Sequence, residues 1–221
     1  MQTKLYIASA ETLSDEARFE RLARTIPEVR REKLAKIRHE GARRLSLAAS
    51  LLLKRALSDE GLRTGEIAVS EYGKPYFPAL PGFQFSLSHS GDMALCAVSP
   101  RTVGCDIEAP RAYPPEIARR FFHKAEREWL FSHEEEEQCA AFFRIWTCKE
   151  SFIKALGLGL SLPLDAFAVI PGESVSLTQH ADARPWRLRS FLDGDCFIAL
   201  CGLEGVEDAP LIRVDLGEVG P

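Results

Sequence analysis

One apolar pattern appears in both halves of the chain and limits the folds that the sequence can adopt. Gly91-Asp92-Met93-Ala94-Leu95-Cys96-Ala97-Val98 is matched by Gly194-Asp195 and then by Ile198-Ala199-Leu200-Cys201-Gly202-Leu203. In each copy a Gly-Asp turn precedes an apolar strand. A repeated unit predicts two similar halves, 1–102 and 103–221, with the active site in the cleft between them. A chance match between two apolar strands is the alternative that the sequence leaves open.

The length and composition fit a globular protein with a sizeable core. The chain has 221 residues, of which 46% are hydrophobic, enough for one large domain or two small ones. No apolar run approaches the roughly 20 residues of a membrane span, and Met1 to Ala10 lack the features of a signal peptide. We therefore expect a cytoplasmic protein that does not enter membranes. Its six cysteines form no CxxC pair and lie mostly in apolar runs, which predicts reduced cysteines in the core.

The charges are distributed unevenly along the sequence. The net charge of -4 argues against general affinity for nucleic acid. The stretch from Arg18 to Arg55 nevertheless carries twelve lysines and arginines against four glutamates. This stretch is suited to hold a small polyanion.

Hydrophobic periodicity predicts strands and helices in both halves. A strand over Thr3 to Ala8 precedes a helix that Ser14 can cap and that extends through Thr25, and an apolar stripe predicts a helix over Ala42 to Leu57. The proline-rich segment Ala109 to Pro115 predicts a loop, which is followed by helices through Leu156. The other predicted strands are Ile67 to Tyr72, Phe83 to Leu87, Met93 to Val98, Val103 to Glu108, Phe167 to Ile170, Val175 to Thr178, Trp186 to Leu192 and Phe197 to Leu203.

Two carboxylates near the middle of the chain are candidates for a metal site. Asp106 and Glu108 are separated by one residue, so on a strand both side chains project from the same face. Their repulsion favours a bound cation, and oxygen ligands without histidine or cysteine suit Mg²⁺. A solvated strand end is the alternative. A third carboxylate can come from Glu126 or from its neighbour Glu128, although the helix dipole also explains an acid in a first helical turn.

A later helix places charges among apolar side chains. Lys149 lies on the face of several aromatic and aliphatic residues, and Glu150 lies beside Phe143, Trp146 and Ile153. Partial burial raises the pKa of a carboxylate, which is how proteins make a general base. Glu150 is therefore the candidate base. The alternative is an ordinary ion pair between Glu150 and Lys154, four residues apart, which does not explain the apolar neighbours.

A histidine lies among hydroxyl groups at the predicted hairpin turn. Ser88 and His89 are adjacent on a strand, so their side chains point to opposite faces and are poorly placed to act on each other as nucleophile and base. Contact with a phosphate is the favoured interpretation, and a histidine that stabilises the turn is the alternative.

These segments, taken in order, resemble the Sfp-type 4'-phosphopantetheinyl transferases. The resemblance rests on Glu71-Tyr72-Gly73-Lys74-Pro75, Phe85-Ser86-Leu87-Ser88-His89-Ser90-Gly91, Gly104-Cys105-Asp106-Ile107-Glu108, Arg120-Phe121-Phe122 and Trp146-Thr147-Cys148-Lys149-Glu150-Ser151-Phe152-Ile153-Lys154 with Gly157-Leu158-Gly159-Leu160. It implies an α+β fold in which two similar subdomains, each a small antiparallel sheet packed with helices, are related by a pseudo-two-fold axis. It also implies transfer of phosphopantetheine from coenzyme A to a serine of an apo acyl or peptidyl carrier protein.

The same resemblance assigns roles to individual residues. It implies Mg²⁺, or Mn²⁺ in its place, at Asp106, Glu108 and Glu126, which favours Glu126 over Glu128. For such a reaction we expect Glu150 to act as the base and Lys154 and His89 to take part in catalysis, with Lys149 as a further stabilising charge. It implies coenzyme A contacts at Arg30, Lys33, Arg44, Lys74, Pro75, Ser88, His89, Asp106, Lys149 and Lys154, with the first three near the adenosine 3'-phosphate.

Two other functions fit parts of the sequence. A non-catalytic protein of the same fold that binds coenzyme A or a carrier is one, although intact acidic and Lys-Glu motifs argue against it. A metal-dependent nuclease or phosphodiesterase is the other, which the negative net charge disfavours. A monomer is expected because the two halves provide a cleft within one chain.

Overall fold

The two matched segments form equivalent β-hairpins in the computed structural model, which describes residues 1–63, 65–217 and 219. Each hairpin turns at a glycine in the left-handed region, Gly91 with φ of 58° and Gly194 with φ of 57°. Glycine tolerates this conformation because it has no Cβ. The repeat predicted from the sequence is therefore a repeat in structure.

The described residues form eleven strands and six α-helices. The strands are β1 Lys4–Ser9, β2 Ala68–Val69, β3 Pro75–Tyr76, β4 Gln84–Ser90, β5 Met93–Ser99, β6 Val103–Glu108, β7 Ala168–Ile170, β8 Ser176–Thr178, β9 Arg187–Asp193, β10 Cys196–Gly202 and β11 Leu211–Arg213. The helices are α1 Glu16–Ala23, α2 Glu28–Ala35, α3 Glu40–Asp59, α4 Pro115–Phe121, α5 Lys124–Phe131 and α6 Glu135–Leu156.

Two main sheets are built on the same plan. The first has the strand order β11-β1-β5-β4 and the second has the order β6-β10-β9. In both, the second strand of the hairpin lies between its hairpin partner and the first strand of its half, and these pairings are antiparallel. Helix α3 packs on the first sheet and α6 on the second, each over an apolar core. This architecture confirms the predicted α+β pair of similar subdomains.

A third apolar core joins the two sheets. Leu5, Ile7 and Leu95 of the first sheet are buried in one cluster with Cys105 and Ile107 of the second. Since β6 alternates, its opposite face is turned towards α6. There the strand and helix approach so closely that a Cβ on Gly104 would lie 2.0 Å from the carbonyl oxygen of Ser151. This contact holds the acidic end of β6 against the helix that carries Glu150.

Several elements differ from the sequence-based expectation. Asp15, not Ser14, caps α1, because its carboxylate accepts a hydrogen bond from the backbone N–H of Arg18 at 2.7 Å. The strand predicted over Ile67 to Tyr72 is reduced to the two residues of β2. Helix α2 and strand β11 were not predicted. Strand β11 pairs in parallel with β1, so this segment of the predicted second half lies in the first sheet.

Two further expectations concern the cysteines and the membrane. All six cysteines are free, and five of them are buried, as the apolar surroundings predicted. Among the residues that the structure describes, no helix combines the length and the apolar character that a membrane crossing requires.

Candidate active site

Asp106 lies at the centre of a polar cluster between the two halves. One carboxylate oxygen, Oδ1, accepts hydrogen bonds from Lys154 Nζ and from the Ser88 hydroxyl, both at 2.6 Å. The other oxygen, Oδ2, is buried and has no hydrogen-bond partner among the described residues. Burial raises the pKa of Asp106, although Lys154 lowers it. A buried carboxylate oxygen without a partner is costly and is suited to a cation.

Glu108 projects from the same face of β6 and is tied to its surroundings. Its Oε2 accepts hydrogen bonds from the Ser90 hydroxyl at 2.7 Å and from Arg111 Nη1 at 2.9 Å. The Arg111 side chain is well exposed and comes from the loop after β6. Sequence reasoning did not identify Arg111, because an arginine in a proline-rich loop carries no motif of its own.

A row of three serines on β4 connects the first half to β6. The Ser86 hydroxyl accepts a hydrogen bond from the backbone N–H of Cys105 at 3.1 Å, while Ser88 and Ser90 donate to the two acids. Of these three serines, only Ser88 is predicted from the sequence as a site residue. Serine at every second position of a strand was the signal that would have identified Ser86 and Ser90, since such residues share one face.

Helix α6 supplies a base and a cation to the same cluster. Burial raises the pKa of Glu150, and repulsion from Asp106 and Glu108 raises it further, while Lys154 lowers it. Burial by itself lowers the pKa of Lys154, but the attraction of Asp106 outweighs it and raises the pKa. The ammonium of Lys154 therefore remains charged, and Glu150 is a stronger base than an exposed glutamate.

Two adjoining cavities open beside this cluster. The first, of about 340 Å³, is lined by the β2–β3 turn and by α6, including Tyr72, Pro75 and Glu150. The second, of about 460 Å³, is lined by residues that include His89 and Asp106. Arg30, Lys33, Leu87 and Lys154 line both, so the two cavities form one cleft.

The wall contributed by the first half is basic. Arg30 is held by hydrogen bonds from its Nε to the Ser50 hydroxyl at 2.9 Å and from its Nη2 to the carbonyl oxygen of Ser46 at 3.4 Å. Burial lowers the pKa of Lys33, and Arg30 lowers it further. Partial removal from water, followed by the charges of Lys154, Lys33 and Arg30, lowers the pKa of His89. Cations held this close together favour a polyanionic ligand.

Comparisons with known proteins identify the family of this chain. Residues 102–201 match the model of the 4'-phosphopantetheinyl transferase superfamily. The 4'-phosphopantetheinyl transferase Sfp of Bacillus subtilis (strain 168) is 40% identical over 153 residues, which span 68% of this chain and 68% of that protein. The chain belongs to this superfamily.

The 4'-phosphopantetheinyl transferase ffp of Bacillus subtilis is 38% identical over 168 residues, 73% of this chain and 75% of that protein. Among solved structures, Thermotoga maritima holo-[acyl-carrier-protein] synthase aligns with a TM-score of 0.41 and 22% identity over 47% of this chain and 62% of its own.

Glu126, the predicted third metal ligand, is buried and hydrogen-bonded within the second half. Its side chain has no exposed surface, and Oε1 accepts hydrogen bonds from Lys149 Nζ at 2.5 Å and from the backbone N–H of Val169 at 2.8 Å. Its Oε2 accepts from the backbone N–H of His123 at 2.8 Å. The structure therefore does not support Glu126 as a metal ligand, because both of its oxygens already serve the packing of the second half. Glu150 is instead the third acid whose charge interacts with those of Asp106 and Glu108.

Lys149 is equally removed from the cleft. Its side chain is fully buried, and its Nζ donates to Glu126 and, at 2.9 Å, to the carbonyl oxygen of Phe167. The predicted contact between Lys149 and coenzyme A is therefore not supported. The sequence correctly predicted that Lys149 lies on an apolar face of the helix, but its charge is neutralised by Glu126 inside the core.

The charged groups of two other predicted contact residues are engaged by the protein itself. Arg44 pairs with Glu40 at 3.2 Å and lines a separate cavity between α1 and α3, outside the cleft. Lys74 lines the first cavity together with the rest of its turn, but its Nζ points between the two halves, where it donates to three oxygens. Glu128, the alternative to Glu126, is exposed and lies 3.7 Å from Lys124.

The remaining acids fit a hard divalent cation. The unpartnered Oδ2 of Asp106 and the mutual repulsion of three carboxylates would both be relieved by a bound ion. No three His, Cys, Asp or Glu side chains within the described ranges approach closely enough to enclose a metal by themselves. Mg²⁺ commonly binds one or two carboxylates and completes its shell with water and substrate phosphates, so this donor set suits it.

Proposed function

We propose that this protein transfers the 4'-phosphopantetheine group of coenzyme A to a serine of an apo acyl or peptidyl carrier protein. The products are the holo-carrier and adenosine 3',5'-bisphosphate. The observation that carries the proposal is the unpartnered carboxylate oxygen of Asp106 in a cleft that also contains Lys154, Glu150 and a basic wall. Membership of the 4'-phosphopantetheinyl transferase superfamily supports it.

The basic wall binds the nucleotide part of coenzyme A. Arg30, Lys33 and His89 line the second cavity and carry the donors and charge that a phosphorylated ribose requires. The β2–β3 turn, with Pro75, lines the first cavity. Ser88 and Lys154 hold Asp106 in place between these cavities and the reacting phosphates.

The reaction exchanges one bond to phosphorus for another. The serine oxygen of the carrier forms a bond to the β-phosphorus of coenzyme A, and the bond from that phosphorus to the oxygen bridging to the α-phosphate breaks. Glu150 accepts the serine proton, directly or through water, which its raised pKa favours. Lys154 stabilises negative charge on the phosphoryl and leaving oxygens, with His89 as a further donor.

Asp106 and Glu108 would hold Mg²⁺, or Mn²⁺ as an alternative ion, with Glu150 facing them. When bound, the ion neutralises the pyrophosphate and so assists the departure of the nucleotide. The buried, unpartnered Oδ2 of Asp106 supports this assignment.

The setting of the protein follows from the same features. We infer a monomer, because the two halves of one chain supply opposite walls of the cleft. We infer the cytoplasm, because six free cysteines are typical of a reducing compartment.

Mass spectrometry of a carrier protein tests the proposal. The purified protein, coenzyme A, Mg²⁺ and an apo carrier should yield a carrier heavier by one phosphopantetheine group, and Asp106→Ala should yield none. Fatty-acid, polyketide and peptide-synthetase carriers should be tried in parallel. Coenzyme A binding without mass gain on any of them would instead favour a non-catalytic binding protein. Full turnover by Glu150→Gln would refute Glu150 as the base.

A further inference from the structure

The ammonium of Lys74 lies at the junction of the two halves. Lys74 belongs to the β2–β3 turn, where its backbone N–H donates to the Ser70 hydroxyl at 3.0 Å and its carbonyl accepts from the Ser70 N–H at 2.9 Å. From this fixed position its Nζ donates to Thr102 Oγ1 at 3.2 Å, to the carbonyl oxygen of Val103 at 3.1 Å and to that of Ala155 at 2.9 Å. An ammonium has three N–H donors, and here the junction and the second half provide an acceptor oxygen for each of them.

The contact with Ala155 satisfies the end of a helix. The last four carbonyl groups of an α-helix have no partner within the helix, and a cation near them is stabilising. Ala155 is the penultimate residue of α6, and its oxygen accepts from Lys74 Nζ and also from Thr102 Oγ1 at 2.7 Å. Helix α6 is therefore capped by a lysine from the other half of the molecule.

The residue after α6 is shaped to receive this lysine. Gly157 ends the helix in the left-handed conformation with φ of 75°. A Cβ on Gly157 would lie 2.9 Å from Cδ of Lys74. The glycine is thus needed for the turn and for the passage of the lysine stem. Directly before this cap, α6 carries Lys154, whose Nζ lies 2.6 Å from Asp106.

We infer that Lys74 is a positioning residue, which caps α6 across the junction and thereby fixes Lys154 and Glu150 relative to the acids on β6. This inference rests on the proposed transfer reaction. It differs from the role that resemblance implies for Lys74, which is contact with coenzyme A. The same turn lines the cleft, so the element that meets the ligand also holds the end of the helix that carries the reacting groups.

Kinetics separate the two roles. Lys74→Met keeps the stem and removes the ammonium, and it should lower kcat by roughly 10- to 100-fold, because catalytic groups displaced by about 1 Å lose that much. Its KM for coenzyme A should change by no more than about twofold, since the ammonium that is removed already donates to three protein oxygens and the stem that lines the cavity is kept. Lys33→Met is the matched control, because Lys33 lines both cavities and its loss should raise KM instead.

Hydrogen exchange tests the cap without reference to activity. In Lys74→Met the amides of 153–157 should exchange roughly tenfold faster than in the wild type, since a hydrogen bond to a charged group is worth about that factor or more. Lys33→Met should leave these amides unchanged. Thr102→Val removes the second donor to Ala155 and should show smaller changes of the same kind in exchange and kcat. If Lys74→Met does not fold, this variant tests whether the cap at Ala155 positions α6.

The results distinguish this inference from the proposed function. Unchanged exchange at the end of α6, or a raised KM with unchanged kcat in Lys74→Met, would overturn the positioning role while leaving transfer intact. A wild-type protein that modifies no carrier would refute the proposed function, and the exchange experiment would still decide whether Lys74 caps α6.

Discussion

Replacing Gly104 with alanine should separate the two structural elements that form the acidic cluster. The added Cβ would lie 2.0 Å from the carbonyl oxygen of Ser151 and 2.4 Å from the backbone nitrogen of Ala155. Both atoms belong to the main chain of α6, so no side chain can rotate away. Gly104 is not among the described glycines with positive φ, and alanine therefore suits its backbone conformation. The substitution should therefore act only by increasing the distance between β6 and α6.

The size of the displacement follows from the contact. An ordinary van der Waals distance begins at 3.4 Å, so strand and helix must move apart by about 1.4 Å. The 2.6 Å bond between Lys154 Nζ and Asp106 Oδ1 spans this gap and would be broken or distorted. A displacement near 1 Å costs about 100-fold in rate, and overpacking of this kind costs about 1 to 3 kcal/mol of stability.

The assay measures kcat for carrier modification and the free energy of unfolding in urea for the same preparation. Gly82→Ala is the matched control, because nothing lies within 4 Å of its added Cβ. We expect Gly104→Ala to lose about 100-fold in kcat and Gly82→Ala to stay within about 0.5 kcal/mol of the wild type. A Gly104→Ala protein with wild-type kcat and stability would refute the argument that this close contact sets the geometry of the site.

Three other predictions follow from separate features. Glu126→Ala strands the ammonium of Lys149 in the core and should lower the free energy of unfolding by about 3 to 5 kcal/mol in urea, whereas a loss below about 1 kcal/mol would contradict the role of this pair. Burial lowers the pKa of Lys74 to about 8, with Cys201 and Cys105 opposing and Arg184 adding to the effect. The unfolded chain then binds more protons than the folded chain between pH 8 and 10.5. The free energy of unfolding of the wild type should therefore rise with pH in that window relative to Lys74→Met, by at most about 3 kcal/mol. Parallel curves of unfolding free energy against pH for the two proteins would contradict the low pKa. Coenzyme A at about one hundred times its Kd should add about 2.7 kcal/mol to the free energy of unfolding. Arg30→Ala should need more coenzyme A than the wild type for the same rise in Tm, and Arg44→Ala should not. If both variants needed the same amount of coenzyme A, the assignment of the cleft as its binding site would be contradicted.

The sequence predicts the repeated framework better than it predicts the partners of individual charges. Alternation on β6 correctly placed Asp106 and Glu108 on one face, and the paired Gly-Asp turns correctly indicated equivalent hairpins. These features depend on local periodicity. The short helix α2 and the two-residue β2 depend on tertiary contacts, so the local pattern gave little indication of their limits.

Buried charges show the limit most clearly. Lys149 and Glu150 are adjacent in the sequence and both lie among apolar residues, yet one is neutralised in the core and the other acts on the acids of the cleft. Their difference depends on Glu126, which approaches from another helix 23 residues away in sequence. Likewise, Lys74 and Arg44 were identified as cations correctly, but only the packing of the halves decides where each charge points.

The pairing of β11 with β1 has a consequence for how the protein folds as it is synthesised. Leu5 is opposite Leu211, so one edge of β1 stays unpaired until β11, about 200 residues later in the sequence, has left the ribosome. An unpaired strand edge invites pairing with other chains. We therefore expect the first sheet to be completed late, and nascent chains that stop before β11 to be more prone to aggregation than chains that include it.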